Sequence, residues 1–258
     1  MAGPPDLLRR LPSLLHRLPP TTQLLLLLLL ALHLASLLRP ALRAWATLYP
    51  LALDATTPRR LTTYPLLHAS ALHLLSTLAA LTPLLARFEA RTGSLPTLLL
   101  FTGPLSSLPA LLYTALAALR IPSAARPIHG ASVWVFLLVG AEAARRRSTG
   151  FMLPFHLPRL PGTDTTSRPL TLPAWTAPLF SLALTWLLVP GSSVLGHACG
   201  AGVGWVWGCG WMGWVAPPER AVRWVERRAG LGRVPRWVGV GGAPGGREGR
   251  GGMRGGEG

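Results

Sequence analysis

The sequence predicts an all-α membrane protein: a bundle of six transmembrane helices with a flexible cytosolic C-terminal tail. Three observations predict it. Half of the 258 residues are hydrophobic and only 13% are charged. The apolar residues fall in blocks of 17 or more, and a crossing needs about 20 mostly apolar residues. Short loops rich in Pro, Gly and Arg separate the blocks.

The first span is Thr21–Leu38, centred on the Leu24–Leu30 run. Arg9, Arg10 and Arg17 ahead of a leucine run also fit a signal peptide. The run is long for that, and no small-x-small cleavage site follows, so it reads as a retained span. The next spans are Thr62–Leu85, Ser94–Leu119, Pro127–Ala144, Leu170–Val189 and Gly191–Val215. Gly103-Pro104 and Pro109 interrupt the third, and Pro173 and Pro178 the fifth. Prolines are tolerated in membrane helices where neighbours satisfy the freed carbonyls.

The chain therefore divides into a cytosolic head (1–20), a membrane domain (21–215), an interfacial segment (216–238) and a tail (239–258). In the interfacial segment, Pro217-Pro218-Glu219 suits a helix start. Val222, Trp224 and Val225 opposite Arg220, Arg223, Arg227 and Arg228 suit a helix lying on the membrane surface. The tail is mostly Gly with Arg, Pro and Glu, a composition that buries no core and predicts disorder.

A net charge of +16 invites a nucleic-acid reading. The residues argue against it. All 25 basic residues are Arg, with no Lys, no Asn and two Ile, a bias of composition and not a phosphate-binding pattern. The arginines sit between spans and in the tail, as cytosolic flanks do. Their distribution favours both termini in the cytosol. The loop after the first span, with Arg39, Arg43, Arg59 and Arg60, runs against that rule. Cys199 and Cys209 share the last span. Ten residues on one helix is about 15 Å, too far for a disulfide, so both read as packing residues.

His197 is the chemical anomaly. It lies in Gly196-His197-Ala198-Cys199-Gly200-Ala201-Gly202-Val203-Gly204, a stretch without charge. A titratable ring inside a bilayer marks a functional site by default. Ser132, in Gly130-Ala131-Ser132, lies five residues into the fourth span, about 7–8 Å deep. His197 lies six residues into the sixth, about 9 Å deep on the same side. Gly196, Gly200 and Gly204 repeat every four residues, and such small faces let helices approach closely in lipid. A serine and an imidazole in hydrogen-bond reach form a nucleophile and base. On the second span, His73 and Thr77 share a helix face and can donate into a cavity, with His68 nearer the interface. Glu142 is the one carboxylate in any predicted span, and it lies at the far end. A Ser–His dyad without a third acidic member is the expectation. No HExxH motif is present, and no pair of intramembrane aspartates. Neither a metal nor an organic cofactor is expected.

These residues resemble the rhomboid intramembrane serine proteases. The likeness rests on a GxS at the top of span four, GHxxGxxxG on span six and HxxxxHxxx on span two, and covers about residues 62–229. Gly130-Ala131-Ser132-Val133-Trp134-Val135-Phe136, Thr82 to Glu89 and Ala216-Pro217-Pro218-Glu219 are similar to the fungal Golgi branch. The resemblance implies Ser132 as nucleophile and His197 as base and then acid. It implies His73, the side chain at 77 and the Ser132 N–H as oxyanion donors. Substrates would be transmembrane proteins in the bilayer, and the location Golgi. The chain departs at two positions: Val133 stands where the family has a second Gly, and Thr77 where it has Asn. Two alternatives stay open, an inactive rhomboid-like binder of membrane helices and a small transporter.

Overall fold

The structure, a computed structural model, describes residues 17–146, 150–152, 171–188 and 192–240. Helix α1 is Pro20–Leu38, opened by Pro20 and ended at Arg39-Pro40. A connecting segment follows, with α2 (Ala41–Ala46), α3 (Arg60–Thr63) and two short 3-10 turns. Helix α4 is Ala71–Thr92, α5 Ser94–Thr102 and α6 Pro104–Ala118. Helix α7 is Ser132–Arg145, α8 Ala177–Leu188, α9 Val194–Gly208 and α10 Glu219–Arg228. Gly150–Met152 (β1) pairs antiparallel with Thr171–Pro173 (β2).

Among the described residues three helices are long and apolar enough to cross a membrane: α1, α4, and α5 with α6 counted as one. Helices α7, α8 and α9, at 14, 12 and 15 residues, are about 18–23 Å long, short of a hydrocarbon core of about 30 Å. The boundaries differ from expectation where proline and capping act. The second span starts at Ala71 and not Thr62, because Pro65 stops the preceding turn and Ser70 caps α4, its hydroxyl accepting the His73 N–H at 3.2 Å. It then runs past Pro83 to Thr92, so Arg87 and Arg91 are helical and not in a loop. Pro173 ends β2, and Pro178 sits in the first turn of α8, so the fifth helix starts later than Leu170. The 239–258 tail lies largely outside the described residues, and most of the 1–20 head does too.

The extended α4 corrects one expectation. Glu89 lies within it, fully buried, so Glu142 is not the sole carboxylate inside a span. Glu89 accepts the N–H groups of Thr21 and Thr22 at 2.9 and 2.6 Å. It also accepts the hydroxyls of Thr22 and Ser94 at 2.7 and 2.6 Å. A carboxylate at a helix N-terminus satisfies orphan donors and meets the positive end of the dipole. Glu89 thus ties the start of α1 to the junction of α4 and α5. The chain after α10 returns to the same place: Ser94 N–H donates to Val238 O at 2.7 Å. Arg91 pairs with Glu142, which brings the end of α7 there as well. From Glu89 back to His73 along α4 is about 24 Å at the helical rise, and the other helix ends meet at that far pole.

Helices α7 and α9 form the tightest contact of the bundle. A Cβ at Gly200 would stand 2.7 Å from Val133 O, and one at Gly208 2.5 Å from Ala141 O. Gly204 lies against Leu137 O, and Gly140 of α7 against Ala201 O. Each glycine admits a backbone that any side chain would exclude, as small residues do at membrane helix contacts. Gly196 is not part of this seam; its neighbours are Ser193 and Ile128.

Candidate active site

Ser132 is the first residue of α7. The segment before it is held from three sides. Leu48 and Ile128 exchange backbone hydrogen bonds at 3.0 Å, and Gly130 N–H donates to Tyr64 O at 2.8 Å. Ala131 N–H donates to His68 Nε2 at 3.1 Å. Gly130 has φ +116°, and a Cβ there would be 2.8 Å from His73 Cε1. Both conformation and space therefore require glycine.

His197 lies in the first turn of α9, where Ser193 Oγ accepts the Gly196 N–H at 3.1 Å. Its Nε2 is 2.9 Å from Ser132 Oγ. The ring stacks on Phe136, centroids 4.4 Å apart and planes 17° from parallel. Phe136 follows Ser132 by one helical turn, so one face of α7 presents both partners of the imidazole. His197 is buried, and its Nδ1 has no hydrogen-bond partner among the described residues. Among the described residues no carboxylate orients this ring; an aromatic face does.

The pair opens on a cavity of about 250 Å³ whose lining includes His73, Arg126, His129 and Gly130. His73 stands edge-on to His68, centroids 5.1 Å apart. The N–H groups of Ser132 and Val133 head α7, where no earlier turn can accept them.

Two expected site residues behave differently. Thr77 is buried and is not among the residues that line the cavity. On α4 it lies one turn beyond His73, toward Glu89. His68 is fully buried and contacts the segment before the nucleophile through the Ala131 N–H. An Nε2 that accepts a backbone N–H must be unprotonated, which puts the His68 proton on Nδ1.

Val133 lines the cavity beside Ser132 and also packs away from it, into α9. It is 4% exposed, and its Cγ2 lies over Gly200. The glycine in α9 makes room for the valine in α7. Trp134 is fully buried and donates through Nε1 to Ser106 Oγ at 2.8 Å, while Ser106 bonds Phe101 O. Phe136 and Gly140 were not singled out from sequence as site residues. The signals were present: Phe136 is four residues past Ser132, and Gly140 is the only glycine within α7. Among the described residues no group of three His, Cys, Asp or Glu side chains could hold a metal ion.

The rhomboid domain family matches residues 55–213 of this chain. The chain belongs to the rhomboid family. It is 39% identical over 232 residues to rhomboid-type serine protease 2 of Gibberella zeae, covering 88% of this chain and 81% of that one. It is 38% identical over 233 residues to rhomboid-type serine protease B of Aspergillus fumigatus, covering 90% and 81%. To rhomboid-type serine protease 2 of Saccharomyces cerevisiae it is 31% identical over 209 residues, covering 76% and 71%. The matched rhomboid domain runs from α3 to α9 and contains Ser132, His197, His68 and His73. Helices α1 and α10 flank it.

Proposed function

We propose that this rhomboid is an intramembrane serine protease working through a Ser132–His197 dyad. Its substrates are membrane proteins, cleaved in or near a transmembrane segment. Ser132 Oγ attacks the scissile carbonyl carbon while His197 Nε2 takes the hydroxyl proton. The imidazolium then gives that proton to the leaving amine. Water, deprotonated by His197, attacks the acyl-enzyme and releases the new carboxyl terminus with Ser132 restored. During these steps the cation on His197 rests against the Phe136 face, which favours positive charge through the ring quadrupole. The oxyanion receives the Ser132 N–H at the head of α7 and a donor from His73. His68 positions that N–H by holding Ala131.

The observation that carries this reading is the 2.9 Å contact between Ser132 Oγ and His197 Nε2 on a cavity wall. The short helices support it. Helices α7 and α9, at 14 and 15 residues, are shorter than a full crossing, which leaves room for water in the cavity at their heads. In this reading α7, α8 and α9 complete six crossings with the non-helical chain at their ends. The loop arginines favour cytosolic termini, and the resemblance to the fungal branch supports a Golgi location.

A serine-reactive fluorophosphonate tests the dyad. The wild type and Ser181→Ala should label equally, and Ser132→Ala should not label. Equal labelling of Ser132→Ala would remove Ser132 from the mechanism.

A further inference from the structure

Six arginines in the segments next to the catalytic pole are left unexplained by the dyad: Arg39, Arg43, Arg59, Arg60, Arg120 and Arg126. Four of them make the first loop run against the expected charge bias of a membrane protein. The structure puts them at the catalytic end. Helix α1 and the continuous α5–α6 pair start from the Glu89 pole, so Arg39, Arg43 and Arg120 follow or lie beyond their far ends. Arg126 lines the cavity itself, six residues before Ser132.

Among the described residues no carboxylate forms an ion pair with them. Every ion pair among the described residues is on Glu142, at the opposite pole, or on Glu219 in α10. The one carboxylate in the connecting segment, Asp54, pairs with none of them; it accepts from Thr56 N–H at 2.8 Å and from the Thr56 hydroxyl at 2.6 Å, and sets one negative charge against four arginines there. Arg59 and Arg60 lie over the rings of Trp45 and Tyr49, at 5.2 and 5.1 Å. Arg43 braces the wall, donating to Ala69 O and Ser36 Oγ at 3.3 Å. These contacts fix the cations in place without cancelling their charge. Arg126 is exposed, its backbone carbonyl accepts from Tyr113 Oη at 3.0 Å, and the cavity has no Asp or Glu among its described lining.

We infer that Arg126, backed by this field, reads charge on the substrate: the favoured partner carries Asp or Glu in the juxtamembrane segment that enters the cavity mouth. The inference rests on the proteolytic reading and names its substrate class. A focused field of one sign raises the local concentration of the opposite charge, and an exposed arginine at the mouth gives a carboxylate a bidentate partner.

The test uses the full-length protein in vesicles of neutral lipid and three single-span reporter substrates, identical except for Glu, Gln or Lys at juxtamembrane positions. The wild type should prefer Glu over Lys by about tenfold in kcat/KM, mostly through KM, with the preference shrinking at high salt. Arg126→Glu should invert the order, and Arg126→Gln should flatten it. Equal cleavage of all three by the wild type would overturn the inference and leave the protease reading standing. A loss in Arg126→Glu that is equal for all three, and that tracks anionic lipid added to the vesicles, would overturn it in favour of a headgroup contact. Cleavage of none of them, with no fluorophosphonate labelling, would remove the protease reading and this one with it.

Discussion

His197 lies flat on Phe136, 4.4 Å between centroids, and its Nδ1 has no partner among the described residues. A base usually needs a third group to set its ring plane. Here that task falls on packing and not on a carboxylate. Phe136→Ala should therefore lower kcat about tenfold or more through lost orientation, with KM little changed. Phe136→Tyr, which keeps the ring, should restore most of the rate. Steady-state kinetics on one reporter substrate separates the two parameters. A fall confined to KM would point to substrate contact instead.

His68 holds the chain immediately before the nucleophile by accepting the Ala131 N–H. His68→Ala would leave a buried donor unsatisfied, at about 1–3 kcal/mol. Thermal unfolding in detergent should register that loss. Activity should fall further than stability alone requires, because Ser132 and its N–H shift together. His68→Gln, whose carbonyl can accept, should recover part of both. An unchanged rate in His68→Ala would mean that the other two anchors of the loop suffice.

His73 and Thr77 are one turn apart yet differ in access, since only His73 lines the cavity. His73→Ala should reduce kcat on the order of a hundredfold if it donates to the oxyanion. Thr77→Ala should change kcat by less than about threefold, within the range of an ordinary buried substitution. Matching losses would restore Thr77 as a donor.

The α7–α9 seam makes a sharp contrast among glycines of one helix. Gly204 faces Leu137 O with no room for a Cβ, whereas a Cβ at Gly202 meets nothing within 4 Å. Gly204→Ala should destabilise by about 1–3 kcal/mol or more as the helices are forced apart. Gly202→Ala should stay within about 0.5 kcal/mol, or gain slightly from helix propensity. Melting temperatures of the two variants side by side decide it. Equal melting temperatures would contradict the seam.

Much of the site was legible because its signals are local. A histidine in an uncharged run, a serine at matching depth and a four-residue glycine repeat needed only spacing and helical rise. The glycine repeat was read one position too generously, since Gly196 packs on Ile128 and the partner glycine is Gly140 on the other helix. Pairings across helices are long-range facts that one sequence does not show. For the same reason Glu89 looked like a loop residue. Its burial depends on α4 running through Pro83 and on Thr21 and Thr22 arriving from about 68 residues away. His73 and Thr77 have the right helical period for a shared task, but only His73 lines the cavity. The role of Val133 was hidden until Gly200 was seen beneath it.

The most direct test of the Ser132–His197 dyad is cleavage of one transmembrane reporter substrate by the wild type, Ser132→Ala and His197→Ala under identical conditions. The dyad predicts product from the wild type and none above background from either variant, with both variants still folded by thermal unfolding. Equal product from all three would contradict it.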